Sequence, residues 1–99
     1  MILKNNTIVS LKSFLGTLQP KKKVKPNENY WQLIGERGTV IDSNENHDGR
    51  VLVLFDNDLD EFSLENHNPV KNSLWIRKSD LEFLLKTKHL YSKKQFRKV

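Results

Sequence analysis

Residues 36–62 read Glu36-Arg37-Gly38-Thr39-Val40-Ile41-Asp42, Ser43-Asn44-Glu45-Asn46-His47-Asp48-Gly49, Arg50-Val51-Leu52-Val53-Leu54-Phe55-Asp56 and Asn57-Asp58-Leu59-Asp60-Glu61-Phe62. β-Branched and aromatic residues without a breaker make Arg50 to Phe55 a strand. Val51, Val53 and Phe55 fall on one face, Leu52 and Leu54 on the other. Apolar side chains on both faces describe a central strand with cover on each side. Asp48-Gly49 can take the positive φ that closes a hairpin with the strand at 37–43. The connecting loop exceeds two residues, so it leaves turn type and register open.

Further strands are expected near 7–12, 73–78 and 83–86, where short apolar runs alternate between turn signals. Val9 and Leu11 should face inward, as should Leu74 and Ile76, which turns Trp75 outward. The expected core is Val40, Val51, Val53, Phe55, Leu74, Ile76 and Leu81. Tyr30-Trp31-Gln32-Leu33-Ile34 forms a helical turn or an irregular plug over the core, or it exposes Tyr30 or Trp31 for stacking. Ser79-Asp80-Leu81-Glu82 matches a capping box and predicts one helical or 3₁₀ turn. Such a box can also open a longer helix, but Leu81, Leu84, Leu85 and Tyr91 give that helix only a broken stripe.

The chain has 99 residues, no cysteine and a formal net charge of +5. That length suits one domain, placed at 1–86, followed by a basic tail at 87–99. Without cysteine there are neither disulfides nor thiolate metal sites. No run reaches the length of a membrane span, and Met1 to Asn6 lack a secretory apolar core, so the default expectation is cytoplasmic.

Charge is unevenly distributed. Residues 1–26 carry six lysines and no acid; residues 83–99 carry six basic residues and no acid; the twelve acidic residues all lie between. The basic ends either fold back on the acidic centre or attract an anionic partner. Pro20-Lys21-Lys22-Lys23-Val24-Lys25-Pro26 is an exposed loop, since like charges repel and proline lacks a donor. It is similar to a short nuclear-import signal, a pattern also common on solvated loops.

The sequence carries little catalytic chemistry. Asp56-Asn57-Asp58-Leu59-Asp60 starts like a calcium loop, but Glu61 stands where glycine is needed and His67 where the bidentate glutamate belongs. The reading is an acidic turn. His47, His67 and His89 lack metal-ligand spacing. There is no phosphate-cradling glycine loop and no nucleophile elbow. The expectation is a protein that binds rather than catalyses, without cofactor or metal.

Gly35-x-x-Gly38-Thr39-Val40, Gly49-x-Val51-x-Val53-x-Phe55-Asp56 and Trp75-x-Arg77-x-Ser79-Asp80-Leu81-Glu82 resemble the small SH3-like domains of the mind-bomb and KOW types, over about residues 34–85. The resemblance implies a mainly β fold: a five-stranded antiparallel SH3-like barrel with a short helical turn before its last strand. The acidic loop after Phe55 departs from the KOW pattern, and lysines occupy the first loop where peptide-binding SH3 domains carry aromatic and acidic residues. No functional residue is carried over, because fold likeness does not fix function.

The residues themselves propose two roles. One is a nucleic-acid or other anion-binding module, using Lys21, Lys22, Lys23, Lys25, Arg77, Lys93 and Lys94 with Tyr30, Trp31 and Trp75 as stacking platforms. Its partner is single-stranded nucleic acid or an acidic protein. The other is a protein-interaction module or small subunit using the acidic edge and an exposed Trp75.

Overall fold

The computed structural model describes residues 3–43 and 48–84. It is mainly β: five antiparallel strands form one sheet, and the helical segments among the described residues are short 3₁₀ turns. The strands are β1 (Ile8–Leu11), β2 (Arg37–Asp42), β3 (Arg50–Phe55), β4 (Ser73–Arg77) and β5 (Leu81–Phe83). Their order in the sheet is β4-β3-β2-β1-β5. The basic tail at 87–99, with Lys93, Lys94 and His89, lies outside the described residues, as does His47.

The period-2 pattern becomes two faces. Val9, Leu11, Val40, Val51, Val53, Phe55, Leu74, Ile76 and Leu81 are all buried on the core face. One row of this face runs Val9, Gly38, Phe55 across three strands. Gly38 has no room for a side chain: a Cβ there would lie 2.6 Å from Val53 Cγ1 and 2.8 Å from the Leu54 carbonyl oxygen. On the opposite face Leu52 pairs with Trp75 across β3 and β4. Leu52 is buried there and Trp75 half-buried, so Trp75 points away from the core yet is partly covered. A register irregularity between Val40 and Asp42 leaves Ile41 without a Cα partner on β3, the signature of a bulge.

Two connections cover the core. Tyr30–Leu33 forms a 3₁₀ turn that drives Leu33 fully into the core, with Phe14, Tyr30 and Ile34 packed against it. After β3, Asp58 caps the 3₁₀ turn Leu59–Phe62, its side chain accepting the Asp60 N–H. Leu59 and Leu64 enter the core from this segment. The acidic stretch is therefore a capped turn that anchors two leucines. Asn66 and Asn68 each donate to the Ser73 carbonyl, and the Asn72 N–H donates to Asn66 Oδ1, which holds the polar loop that leads into β4.

The end of the domain differs from expectation in two ways. β5 spans Leu81–Phe83, not 83–86. Leu81 pairs with Leu11 and is completely buried, so the strand starts as soon as the 3₁₀ turn Lys78–Asp80 ends. Leu85 and Lys86 lie outside the described residues. The turn itself is present, but Ser79 does not cap it. The N-cap position is Arg77, without a side-chain bond, and Glu82 instead accepts from Ser10 Oγ at 3.3 Å. A three-residue turn leaves few amides to cap, and strand pairing claims Leu81 and Glu82.

Candidate anion-binding groove

The long connection between β1 and β2 makes the most distinctive site. Its first part is a tight turn. Phe14 and Thr17 exchange both backbone hydrogen bonds, at 2.9 and 3.1 Å, around Leu15-Gly16. Both central residues have positive φ, 50° at Leu15 and 80° at Gly16, as in a type I′ turn. Glycine takes this conformation freely, but for leucine it costs roughly 1–2 kcal/mol.

A buried carboxylate holds the turn. Asp80 is 1% exposed. Its Oδ1 accepts from Ser13 Oγ at 2.6 Å and from the Gly16 N–H at 2.9 Å; its Oδ2 accepts from the Leu15 N–H at 3.0 Å. Its carbonyl oxygen accepts the Lys12 and Ser13 amides at 2.8 and 3.4 Å. Consecutive N–H groups in a left-handed turn make a natural cradle for an anion, and here the chain fills it with its own carboxylate.

The turn leads directly to Trp31. Its indole Nε1–H donates to Thr17 Oγ1 at 3.1 Å, and the Thr17 hydroxyl donates to the Gln19 carbonyl at 2.8 Å. Phe14 meets the Trp31 ring edge-on, with centroids 4.9 Å apart. Trp31 is thereby fixed in one orientation. Around it Leu15, Thr17, Pro20, Lys21, Lys22 and Val24 line an open groove of about 210 Å³. Leu15 and Leu18, 39% and 70% exposed, stand on the same loop.

Three of the site residues expected from sequence therefore meet: Lys21, Lys22 and Trp31. Lys23 and Lys25 are exposed on the same loop. Tyr30 points elsewhere. Its hydroxyl donates to the Glu65 carbonyl at 2.8 Å and its ring packs on Phe14, tying the first loop to the segment before β4. Partial burial, then the nearby Glu65 and Glu28, raise its phenol pKa above the ordinary value. Trp75 and Arg77 lie on β4, the sheet edge opposite β5. Lys93 and Lys94 lie outside the described residues. The role of Asp80 was hidden within the capping pattern. The usable signal was Leu15-Gly16 between Phe14 and Thr17, a two-residue turn in need of a partner.

The acidic loop is engaged locally. Asp56 pairs with Arg37 at 2.6 Å, and Lys71 approaches Asp60 and Asp58 at 3.3 and 3.7 Å. Its hydrogen bond to Asp60, with the Asp58 charge, raises the Lys71 pKa. Among the described residues, no ion pair joins Lys21, Lys22, Lys23 or Lys25 to this loop. A wider depression of about 550 Å³ lies beside it, lined by Asp60, Glu65, His67 and Lys71 among others. There His67 Nε2 meets Glu65 Oε2 at 3.0 Å. No group of three metal-ligating side chains occurs among the described residues. No family model, curated protein or solved structure matches the chain.

Proposed function

We propose that this protein is an SH3-like barrel serving as a non-enzymatic binding module for an anionic partner, single-stranded nucleic acid, in the cytoplasm. The observation that carries this reading is the shared cavity of Lys21, Lys22 and Trp31. Ammonium groups attract phosphates, and a fixed indole beside them offers a surface for an unpaired base. Pro20 and Val24 supply apolar walls that a base needs and a bare phosphate does not. Lys23 and Lys25 extend the cationic rim; Arg77, Lys93 and Lys94 would add contacts along a longer strand. The barrel reading is supported by the strand order, with β1 between β2 and β5, and by the long first connection.

A protein partner on the acidic edge has less support, because Arg37 and Lys71 already engage Asp56, Asp58 and Asp60. The test is titration with a single-stranded oligonucleotide, followed by NMR and by tryptophan emission, at about 50 and 200 mM salt. Binding should weaken steeply with salt and perturb Trp31. Replacing Lys21, Lys22, Lys23 and Lys25 with serine should lower the salt slope by up to about 3, since each phosphate contact on a single strand contributes about 0.7. Negligible affinity for oligonucleotides, with tight binding of an acidic protein, would overturn the nucleic-acid reading. A lowered melting temperature in the lysine variant, with no binding to lose, would overturn the anion reading altogether.

A further inference from the structure

The exposed leucine in a left-handed turn is the feature that local sequence preference does not account for. Turns with positive φ at both central residues favour Asn-Gly or Asp-Gly; this chain uses Leu15-Gly16. Strain of this kind is kept where the surroundings over-determine it, often at binding sites. Here the surroundings are Asp80 and Ser13, and the Leu15 side chain lines the Trp31 groove instead of entering the core.

We propose that Leu15 is a ligand-contacting wall of the groove and that Asp80 is its positioning residue, acting through the backbone without touching the ligand. The path is continuous. The Asp80 carboxylate fixes the Leu15 and Gly16 amides, the turn fixes Thr17, and Thr17 accepts the indole N–H of Trp31. Asp80 reaches residues 64 to 67 positions away in the chain, so the 3₁₀ turn Lys78–Asp80 must dock on the first loop before the carboxylate can hold the Leu15-Gly16 turn. An asparagine at 80 cannot replace it. It presents one acceptor and one amide group to the Leu15 and Gly16 donors, so one amide always faces another N–H.

This inference rests on the groove being the binding site, and the experiment separates the two. In the full chain carrying Trp75→Phe, emission reports Trp31 alone. Asp80→Asn should leave the core methyl spectrum folded, shift the Leu15 and Gly16 amide resonances and increase quenching of Trp31 by acrylamide. Unchanged amides and quenching in a folded Asp80→Asn chain would overturn the positioning role, whatever binds. If Asp80→Asn does not fold, Ser13→Ala removes one of the three side-chain bonds and should show the same changes in smaller measure; their absence overturns the role equally. Leu15→Asn keeps the left-handed turn but deletes the apolar wall. It should retain Trp31 quenching and weaken oligonucleotide binding about ten-fold, the effect of losing the partial burial of one leucine side chain. Full affinity in Leu15→Asn would overturn the wall role. A wild-type chain that binds no oligonucleotide would overturn the groove reading, and with it the wall, while the amide and quenching measurements still decide whether Asp80 positions the loop.

Discussion

Gly38→Ala is the smallest substitution that tests the sheet. A Cβ at this position meets Val53 Cγ1 at 2.6 Å and the Leu54 carbonyl oxygen at 2.8 Å, where ordinary contact begins at 3.4 Å. Neither neighbour yields easily. Val53 is completely buried, and Leu54 belongs to the ladder that pairs β3 with β2. Gly38 is also the middle member of the Val9–Gly38–Phe55 row, so strands on both sides would have to move. Overpacking of a close-packed interior costs typically 1–3 kcal/mol, and a clash with backbone on a buried row belongs at the upper end, about 2–3 kcal/mol. A domain of this size has roughly 5–10 kcal/mol of stability. The melting temperature should therefore fall on the order of 10–20 °C. Urea denaturation followed by far-UV circular dichroism measures the loss directly, and an unchanged m-value would show that the denatured state is unaltered. A midpoint within error of wild type would refute the register that sets Gly38 between Val9 and Phe55.

Phe55→Ala should cost about 3–5 kcal/mol through lost transfer energy and the cavity left behind; an unshifted thermal transition would remove Phe55 from the core. Tyr30→Phe should lose about 0.5–1.5 kcal/mol at neutral pH, the net worth of the hydroxyl bond to the Glu65 carbonyl. Because the folded state raises the Tyr30 pKa, wild-type stability is complete below the ordinary phenol value of 10.0 and falls as pH rises through the higher folded value. Lys71, also raised, acts in the same direction. Denaturant melts across that alkaline range should show a shallower decline in Tyr30→Phe, and parallel curves would contradict the coupling.

The strands are legible in short apolar runs between turn signals, but Arg50 to Phe55 is apolar on both faces, so alternation there marks a strand without saying which face meets the core. Leu33 and Trp31 could not be separated in advance, since a 3₁₀ turn divides adjacent apolar residues between core and surface in a way that composition does not reveal. Local hydrophobicity favours a final strand from Phe83, because Phe83-Leu84-Leu85 is the more apolar run, whereas pairing with Leu11 selects Leu81. The lysines of the groove were visible as a charge run. That two of them line one cavity with Trp31 follows from the path of the loop between Pro20 and Trp31, which a charge pattern does not encode.

The position of β1 has a kinetic consequence. β2, β3 and β4 are successive hairpin partners and can associate as soon as they leave the ribosome, but β1 reaches its second neighbour only when Leu81–Phe83 has been made. Closing that long interval costs entropy before any contact repays it, so it belongs among the late events of folding. Until then β1 presents an unpaired edge beside a row of lysines and exposed leucines, open to any polyanion or strand nearby. One docking event gives β1 its second partner and brings Asp80 to the turn at Leu15-Gly16.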